Sequence, residues 1–360
     1  MGADVTAITI AGPPAYDVIV GRDVGDQLPR LLGPAARVLV VTDERVREMA
    51  ENLAKTMDSA GVSTVIHGLP PGEQAKSLDV VQQIWDELGA RTFTRSDAIV
   101  AVGGGATTDG AGFVAATWLR GVRVVHVPTT LLGMVDAAIG GKTGINTAAG
   151  KNLVGAFHPP AGVVVDLAVL DSLPADEWVN GMAEVVKAGF ISDPVILDLV
   201  ESDPGAAADP RGPVAHELIE RAIRVKADVV SADLRESGLR EVLNYGHTLA
   251  HAIERVENYE IPHGHAVSIG MVFVAALARH AGRLDSVTAR RHRETLQSIG
   301  LPVTGKGWPL DELLEVMRVD KKSRGSTLRF VVLDGLARPA ILEAPSRELL
   351  EAAYAEVQPQ

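Results

Sequence analysis

The stretch SDAIVAVGGGATTDGAGF, residues 96–113, decides the fold expected for the first half of the chain. A short apolar run leads into three consecutive glycines, and a helical pattern follows. A buried strand, a glycine turn and a helix form the repeating unit of α/β nucleotide-binding domains. Glycines let the backbone approach a pyrophosphate, and the amides that begin the helix can face an anion. Thr108 occupies the place of the third glycine in the standard dinucleotide fingerprint, so a turn that binds nothing remains the alternative.

The same alternation of strand and helix continues on both sides of this stretch. Apolar strands separated by helices indicate a parallel sheet that is covered on both faces. After Leu173-Pro174 the pattern becomes mostly helical. We therefore predict an N-terminal Rossmann-like α/β domain with a parallel sheet, residues 1–174, followed by a mostly α-helical domain, residues 175–360. The other predicted strands are 37–41, 63–70, 122–130, 162–170 and 328–335, and the predicted helices are 44–60, 76–90, 176–201, 213–234, 239–258, 265–282 and 286–299.

Composition excludes several classes of function. The formal net charge of −12 argues against a general nucleic-acid binder, which needs a basic surface. The chain has no cysteine, which excludes disulfides and thiolate metal sites and suits a reducing compartment. No apolar run is long enough to cross a bilayer, and no signal peptide is evident. We expect a cytoplasmic protein with neither a nucleic-acid nor a membrane partner.

A glycine-rich segment, residues 134–159, carries polar side chains of several kinds. Its IGGKT resembles the end of a P-loop, but Asp136 stands where the first glycine of that motif belongs, so a P-loop NTPase is disfavoured. We expect a loop that wraps around a ligand and presents Lys142 and Lys151 to phosphate or carboxylate, with Asn152 beside them. The alternative is a solvated loop.

Two later segments suggest a metal site. In GMAEVVKAGF (181–190), Glu184 and Lys187 are three residues apart; such a pair is usually a surface salt bridge, but the apolar residues around it favour the interior. In LNYGHTLAHAIE (243–254), two histidines are four apart and could hold a metal, although the glutamate that zinc proteases carry between them is absent. We expect one helix to present Arg240, Asn244, His247 and His251 on one face.

The segment IPHGHAV (261–267) adds His263 and His265. An acidic residue with two or three histidines is a plausible set for a divalent ion such as zinc. Further on, DKKSRGSTLRF (320–330) contains Lys321 and Lys322 before a glycine, and taken alone it predicts only a charged turn.

Taken together, these segments resemble the 3-dehydroquinate synthases. The resemblance runs from PGEQAK (71–76) to DKKSRGSTLRFVVL (320–333). Its most specific parts are VPTTLLGMVDAAIGGKTGIN, GKNLVGAFHPP, GMAEVVK, LREVLNYGHTLAHAIE and HGHAVSIGM. Enzymes of this family bind NAD in the α/β domain and zinc or cobalt in the helical domain. They convert 3-deoxy-D-arabino-heptulosonate 7-phosphate to 3-dehydroquinate and phosphate in the shikimate pathway. The resemblance implies transient oxidation at C5 by NAD, phosphate elimination, re-reduction and an intramolecular aldol closure.

The resemblance also assigns residues to roles. The metal ligands it implies are Glu184, His247 and His263. The NAD contacts it implies are Asp43, Glu73, Lys76, Gly104, Gly105, Asp109, Thr129, Thr130, Asp136, Lys142 and Lys151. The substrate and catalytic positions are Asp136, Lys142, Asn152, Lys187, Lys226, Arg240, Asn244, His251 and one of Lys321 and Lys322. Arg120 matches an arginine that reaches the phosphate site of a neighbouring subunit, which implies a homodimer. From the residues alone, Asp43 is equally well explained as a helix N-cap.

Two departures from the family pattern affect the site. Thr107 and Thr108 interrupt the glycine run, and His265 in HGHAV could compete with His263 for the metal, although His263 matches by position. Three alternative functions stay open: a related sugar phosphate cyclase of secondary metabolism, a metal-dependent polyol dehydrogenase, and an NAD-sensing module without catalysis.

Overall fold

The structure is a computed structural model that describes residues 5–235, 238–320 and 327–359. The chain forms two compact units. The first comprises Met1–Pro174 and Lys226–Arg235, and the second comprises Ala175–Val225 and Glu236–Gln360. The first unit therefore includes a short segment from the second half of the sequence.

Within its described residues, the first unit is built on a sheet of seven strands and a separate hairpin. The strands are β1 Thr6–Ile10, β2 Tyr16–Gly21, β3 Arg37–Asp43, β4 Ser63–Leu69, β5 Ala98–Gly103, β6 Arg123–Pro128, β7 Lys142–Thr147, β8 Gly150–Phe157 and β9 Gly162–Asp166. The helices are α1 Leu28–Leu32, α2 Arg47–Ser59, α3 Leu78–Ala90 and α4 Gly105–Thr117. The strand order in the sheet is β1-β2-β9-β6-β5-β3-β4.

The central strands β3 and β5 are buried on both faces, as their continuous apolar sequences predict. Val38 and Val40 pack with α1 and α2 in one hydrophobic cluster, whereas Leu39 and Val41 pack with α3 and α4 in another. This alternation follows from the two-residue period of a strand. Burying each such side chain stabilises the fold by about 1.5–3 kcal/mol. The predicted α/β fold with helices on both faces of the sheet is confirmed.

The sheet differs from the prediction at one edge. Strands β1 and β2, which were not predicted, form an antiparallel pair, and β2 then pairs in parallel with β9. The remaining pairs in this sheet are parallel. The sheet is therefore mixed, with a hairpin that covers one edge of a parallel core.

The glycine-rich segment 134–159 is more ordered than a loop. It contains a π-helical turn, Gly133–Ala137, followed by the antiparallel hairpin of β7 and β8. Glycines at close backbone contacts hid the strand pattern: a Cβ on Gly155 would lie 2.3 Å from the Thr143 carbonyl oxygen, and one on Gly141 would lie 2.7 Å from the Pro159 nitrogen. The loop prediction for this segment was wrong, because glycine serves here to bring backbones together.

The second unit is mostly helical, as predicted. Its helices are α5 Ala175–Ile191, α6 Val195–Ser202, α7 Pro204–Ala208, the first part of α8 Pro213–Ala232, α9 His247–Val256, α10 His263–His280, α11 Ser286–Ser298, α12 Leu310–Asp320 and α13 Arg347–Ala355. Strands β10 Arg329–Leu333 and β11 Pro339–Glu343 form an antiparallel pair. Helices α12 and α13 and strand β11 were not predicted. Among the described residues, no helix has the length and apolar character needed to cross a membrane.

Two predicted helices are interrupted in the structure. The segment 176–201 divides into α5 and α6 near Pro194, which directly precedes α6. The segment 239–258 divides into a 3-10 helix, Leu239–Asn244, and α9, with Gly246 in the left-handed conformation between them at φ 78°. Arg240 and Asn244 therefore do not share one helix face with His247 and His251, and that prediction was wrong.

Candidate active site

Three side chains from three helices of the second unit meet in a cluster in which two residues are buried and His263 is half-buried. Glu184 lies on α5, and His247 and His263 are the first residues of α9 and α10. One potential ligand atom from each residue lies within 4.8 Å of the other two. The Oε1 atom of Glu184 is 3.4 Å from His247 Nε2 and 3.8 Å from His263 Nε2. A carboxylate and two imidazoles that converge in this way can hold a divalent metal ion.

The backbone explains why the two histidines meet. Gly270 of α10 packs so closely on the turn before α9 that a Cβ there would lie 2.0 Å from the Gly246 carbonyl oxygen. Gly264 packs equally closely on α5, where a Cβ would lie 1.9 Å from the Asn180 carbonyl oxygen. The Gly264 amide also donates to Asn180 Oδ1 at 2.7 Å. Glycines thus bring the first turn of α10 against α5, and the middle of α10 against the turn that precedes α9.

Lys187 lies beside Glu184 inside the cluster. Both residues are 4% exposed, and their side chains form an ion pair. Lys187 Nζ also donates to the Leu243 carbonyl oxygen at 2.7 Å. Burial would raise the pKa of Glu184, but Lys187, followed by the two histidines, lowers it well below its usual value. The pair is therefore an interior pair, as its apolar neighbours indicated.

The two histidines have opposite electrostatic environments. Burial, supported by the nearby charge of Lys187, lowers the pKa of His247 to about 3. Burial also opposes a charge on His263, but the nearby Glu184 carboxylate and the hydrogen bond to Glu254 raise its pKa to about 10. Two carboxylates thus favour positive charge at His263, and a divalent cation bound at Nε2 would supply that charge in place of a proton. Neutral His247 keeps a lone pair for a ligand.

A buried oxygen of Glu184 tests whether this cluster fits a metal ion. Glu184 Oε1 has no hydrogen-bond partner among the described residues, although it is inaccessible to solvent. Such an atom is costly unless a cation or donor satisfies it. Because Oε1 faces both Nε2 atoms, a metal ion bound by these three groups would satisfy it.

The other two histidines of these segments, His251 and His265, lie outside the cluster found among the described residues. His251 is exposed, and its ring meets the His247 ring edge-on at 5.4 Å between centroids. His265 is half-buried. Of the two candidates in HGHAV, the structure brings His263 to Glu184 and His247.

Glu254, the last residue of LNYGHTLAHAIE, was missed as a functional residue. It is buried, and its Oε1 lies 3.3 Å from His263 Nδ1. The signal was its position seven residues after His247, which places it near the same helix face. A carboxylate at this nitrogen orients the ring and directs Nε2 toward Glu184.

The first unit presents a second candidate site at the turn between β5 and α4. Gly104 is the N-cap of α4, and a Cβ on it would lie 3.3 Å from Thr130 Cγ2. A Cβ on Gly105 would lie 3.1 Å from the Ala137 Cβ. The Thr129 amide donates to the Gly103 carbonyl oxygen at 2.9 Å. A bare backbone at a helix N-terminus fits a pyrophosphate, which needs amides without Cβ obstruction.

Lys76 joins two predicted site residues. It is 2% exposed, and its Nζ donates to Asp109 Oδ2 at 2.7 Å and to Asn152 Oδ1 at 2.5 Å. Burial raises the pKa of Asp109, against the opposing effect of Lys76. Asn152, within β8, has a left-handed backbone with φ 56°. These residues come from three separate segments, so their proximity could not be read from spacing.

Asp136 is held by a lysine from far along the chain. Lys226 is 8% exposed and donates to the Asp136 backbone oxygen at 2.6 Å, and it forms an ion pair with the Asp136 carboxylate. Glu73 lies 3.8 Å from Lys151 Nζ and accepts a hydrogen bond from Asn146 at 2.6 Å. The structure thus pairs several of the polar residues predicted on the first unit with one another.

Asp43 has the N-cap geometry that the sequence left open as an alternative. Its Oδ1 accepts from the Arg45 amide at 2.9 Å, and the two side chains form an ion pair. Burial would raise the pKa of Asp43, but the hydrogen bonds and charge of Arg45 lower it. The capping bond does not test the NAD contact that the resemblance implies for Asp43, which stays a prediction.

The remaining predicted residues differ in exposure. Lys142 begins β7 and is exposed, and so is Arg120, whose backbone is left-handed at φ 67°. Arg240 is 3% exposed, and Asn244 is half-buried in the same 3-10 helix. Lys321 and Lys322 lie outside the described residues.

Comparison with solved structures places this fold in a class. A 2-deoxy-scyllo-inosose synthase complexed with carbaglucose-6-phosphate, NAD+ and Co2+ aligns over 98% of this chain and 100% of its own, with 27% identity and a TM-score of 0.86. The 2-epi-5-epi-valiolone synthase ValA from Streptomyces hygroscopicus subsp. jinggangensis, with NAD+ and Zn2+ bound, aligns over 95% and 96%, with 28% identity and a TM-score of 0.88. The chain has the two-domain fold of the sugar phosphate cyclases.

Sequence relatives narrow the class to one family. The family description "3-dehydroquinate synthase N-terminal" matches residues 66–180, and "3-dehydroquinate synthase C-terminal" matches residues 181–323. A curated 3-dehydroquinate synthase from Streptomyces avermitilis is 59% identical over 363 residues, covering 99% of each chain. The chain belongs to the 3-dehydroquinate synthase family.

Proposed function

We propose that this chain is a 3-dehydroquinate synthase of aromatic amino acid biosynthesis. It converts 3-deoxy-D-arabino-heptulosonate 7-phosphate to 3-dehydroquinate and phosphate. The observation that carries the proposal is 59% identity over 99% of a curated enzyme of that name. The cluster of Glu184, His247 and His263 supports it, because the reaction uses a metal ion as well as NAD.

The three clustered side chains would hold the divalent metal. Three protein ligands leave a position open for substrate, as is typical of catalytic rather than structural sites. When bound, the metal ion supplies Lewis acidity toward substrate hydroxyls, and NAD+ accepts and later returns a hydride. Lys187 balances the charge of Glu184 and fixes its orientation, so the unsatisfied Oε1 stays directed at the two imidazoles.

The residues of the first unit would bind NAD. Gly104 and Gly105 offer backbone amides to the pyrophosphate, with Thr129 and Thr130 close to that turn. Lys226 holds the Asp136 carboxylate in one orientation, and Lys76 does the same for Asp109. Fixed groups of this kind orient a ligand without a large entropic cost on binding. Asp43, Glu73 and Lys151 are the further cofactor contacts that we propose.

The substrate carries a phosphate and a carboxylate, and the proposed substrate residues suit both. Lys142, Arg240 and the lysines of the 321–322 pair would supply positive charge, and Asn152 and Asn244 would supply amide hydrogen bonds. His251 is exposed beside His247, so its imidazole can carry a proton between substrate and water. In a chain of net charge −12, these cations serve an anionic ligand.

The alternative functions have weaker support. The cyclases of known structure with other products share 27% and 28% identity with this chain, against 59% for the dehydroquinate synthase. A polyol dehydrogenase would oxidise its substrate and release NADH, and it has no need for the phosphate-binding cations. A module that binds NAD without catalysis would not need the cluster of Glu184, His247 and His263.

Two finer properties are proposals from the sequence. We propose a homodimer in which exposed Arg120 reaches the phosphate site of the neighbouring subunit. We also propose a cytoplasmic location, which suits a chain without cysteine.

Product analysis tests the function most simply. The purified protein, loaded with a divalent metal and supplied with NAD+, is incubated separately with the heptulosonate phosphate and with a seven-carbon sugar phosphate that lacks the carboxylate. We expect 3-dehydroquinate from the first and less than about a hundredth of that rate with the second, because a substrate without the carboxylate cannot form the charge-assisted hydrogen bonds that the site offers to one. Preferred cyclisation of the sugar phosphate without the carboxylate would instead identify a cyclase of secondary metabolism.

Glu254 gives a prediction about the metal site. Glu254→Gln keeps an oxygen near His263 Nδ1 but removes the negative charge, so the ring becomes a weaker ligand. We expect the Kd for Zn2+, measured by competition with a chelator, to rise about tenfold. Glu260→Gln is the matched control, because Glu260 is exposed just beyond α9. Equal Zn2+ affinity in the two variants would show that Glu254 does not support the site.

A further inference from the structure

A buried polar cluster lies behind the metal ligands. His292 of α11 and Tyr245 are fully buried, and the Tyr245 hydroxyl lies 2.8 Å from His292 Nε2. The His292 ring also stacks on Phe190 of α5, with ring centroids 3.5 Å apart and an angle of 10° between planes. None of these three side chains has a role in the proposed reaction.

The hydrogen bonds of His292 determine which partner donates in its contact with the Tyr245 hydroxyl. His292 Nδ1 lies 2.8 Å from the Thr288 carbonyl oxygen, which can only accept a hydrogen bond. Nδ1 therefore carries the proton, and Nε2 accepts from the Tyr245 hydroxyl. Burial lowers the pKa of His292 to about 4, so the ring is neutral at physiological pH and this arrangement persists. The Tyr245 ring has one favoured orientation as a result.

The backbone of Tyr245 leads directly to a proposed metal ligand. His247 Nδ1 donates to the Tyr245 carbonyl oxygen at 3.1 Å, which leaves Nε2 free to face Glu184. Between the two residues, Gly246 is in the left-handed conformation. A flexible glycine at this point means that the carbonyl direction depends on how firmly Tyr245 is held. Phe190 lies on the same helix as Glu184, so His292 contacts both segments that supply these ligands.

We infer that His292 is a positioning residue for the metal site, which acts through the Tyr245 hydroxyl to orient His247. The inference rests on the metal site of the proposed function. A phenylalanine–leucine pair could fill a similar volume without the cost of burying polar atoms, so packing alone does not explain the hydrogen bond. A directional bond at this position instead selects one rotation of the tyrosine and one orientation of its carbonyl.

Cobalt binding to the full-length protein tests the inference without relying on activity. Tyr245→Phe removes the hydroxyl and keeps the ring, and we expect the Kd for Co2+ to rise about fivefold to tenfold, somewhat less than for a direct partner of a ligand. The visible absorption bands of bound Co2+ should also shift, since they report the ligand geometry. Tyr354→Phe is the matched control: Tyr354 is buried in the same unit, and its hydroxyl donates to the Trp308 carbonyl oxygen at 2.6 Å.

A second variant tests whether His292 and Tyr245 act on the metal site through the same hydrogen bond. His292→Leu breaks the same hydrogen bond from the other side, so combining it with Tyr245→Phe should weaken Co2+ binding no further than the stronger single variant does. Wild-type affinity and spectrum in Tyr245→Phe, or additive effects in the double variant, would overturn the inference. If the wild-type protein does not bind Co2+, the metal site of the proposed function is wrong. That outcome is distinct from a failure of the inference about His292 alone.

Discussion

His247→Ala is expected to abolish tight metal binding and to lower kcat by about 10³-fold or more. His247 is 9% exposed, its Nε2 faces Glu184, and alanine offers no ligand atom in its place. Loss of a Lewis acid removes several kcal/mol of transition-state stabilisation, and about 4 kcal/mol corresponds to 10³-fold in rate. Metal content after gel filtration and the rate of phosphate release measure the two effects separately.

His251→Ala is the matched comparison, because it removes an imidazole one helical turn further along the same helix. His251 is exposed and lies outside the described metal cluster. We expect this variant to retain its metal and to lose about 10²-fold in kcat, the range for loss of a proton-transfer group. Equal loss of metal from both variants would show that the division of roles between the two histidines is wrong.

Gly270→Ala is expected to lower the free energy of unfolding by about 3 kcal/mol. The new Cβ would lie 2.0 Å from the Gly246 carbonyl oxygen, so either α10 or the turn before His247 must move. Backbone cannot relax as a flexible side chain does, and the displaced turn should weaken metal binding as well. Urea unfolding of the metal-free protein and a chelator competition measure these two consequences.

Gly89→Ala provides a control with the opposite sign. Gly89 is exposed within α3, and its new Cβ would make only an ordinary contact, 3.6 Å from Trp118. Alanine is the better helix former, so this variant should gain up to about 1 kcal/mol. If Gly270→Ala is as stable as Gly89→Ala, close packing of α10 on Gly246 does not support the site.

Much of the fold of the first unit could be predicted because its strands are buried on both faces. Continuous apolar runs such as 98–103 have few other interpretations between helical segments. The hairpin of β7 and β8 escaped prediction because glycines at close backbone contacts replace the side chains that would show alternation. The break at Gly246 escaped for a related reason: a single glycine within a helical pattern is compatible with either a continuous or an interrupted helix.

Residue spacing predicted the metal site only in part. His247 and His251 have a spacing that suits a pair of metal ligands. The structure instead brings His247 to Glu184 and His263, which lie in other segments of the chain. Resemblance to the family supplied that set, since local periodicity cannot report which helices pack together. Glu254, Tyr245 and His292, which we propose support the site, were not identified from the sequence, because their contacts depend on how helices pack and on the direction of single hydrogen bonds.

The ratio of phosphate released to NAD+ present tests the proposed function most directly. Metal-loaded protein is given excess heptulosonate phosphate and a limiting amount of NAD+, and phosphate and NADH are followed together. A dehydroquinate synthase returns the hydride in every cycle, so we predict phosphate in large molar excess over NAD+ without accumulation of NADH. Phosphate release that stops at one equivalent of NAD+ while NADH accumulates, or no phosphate release by metal-loaded protein, would contradict the assignment.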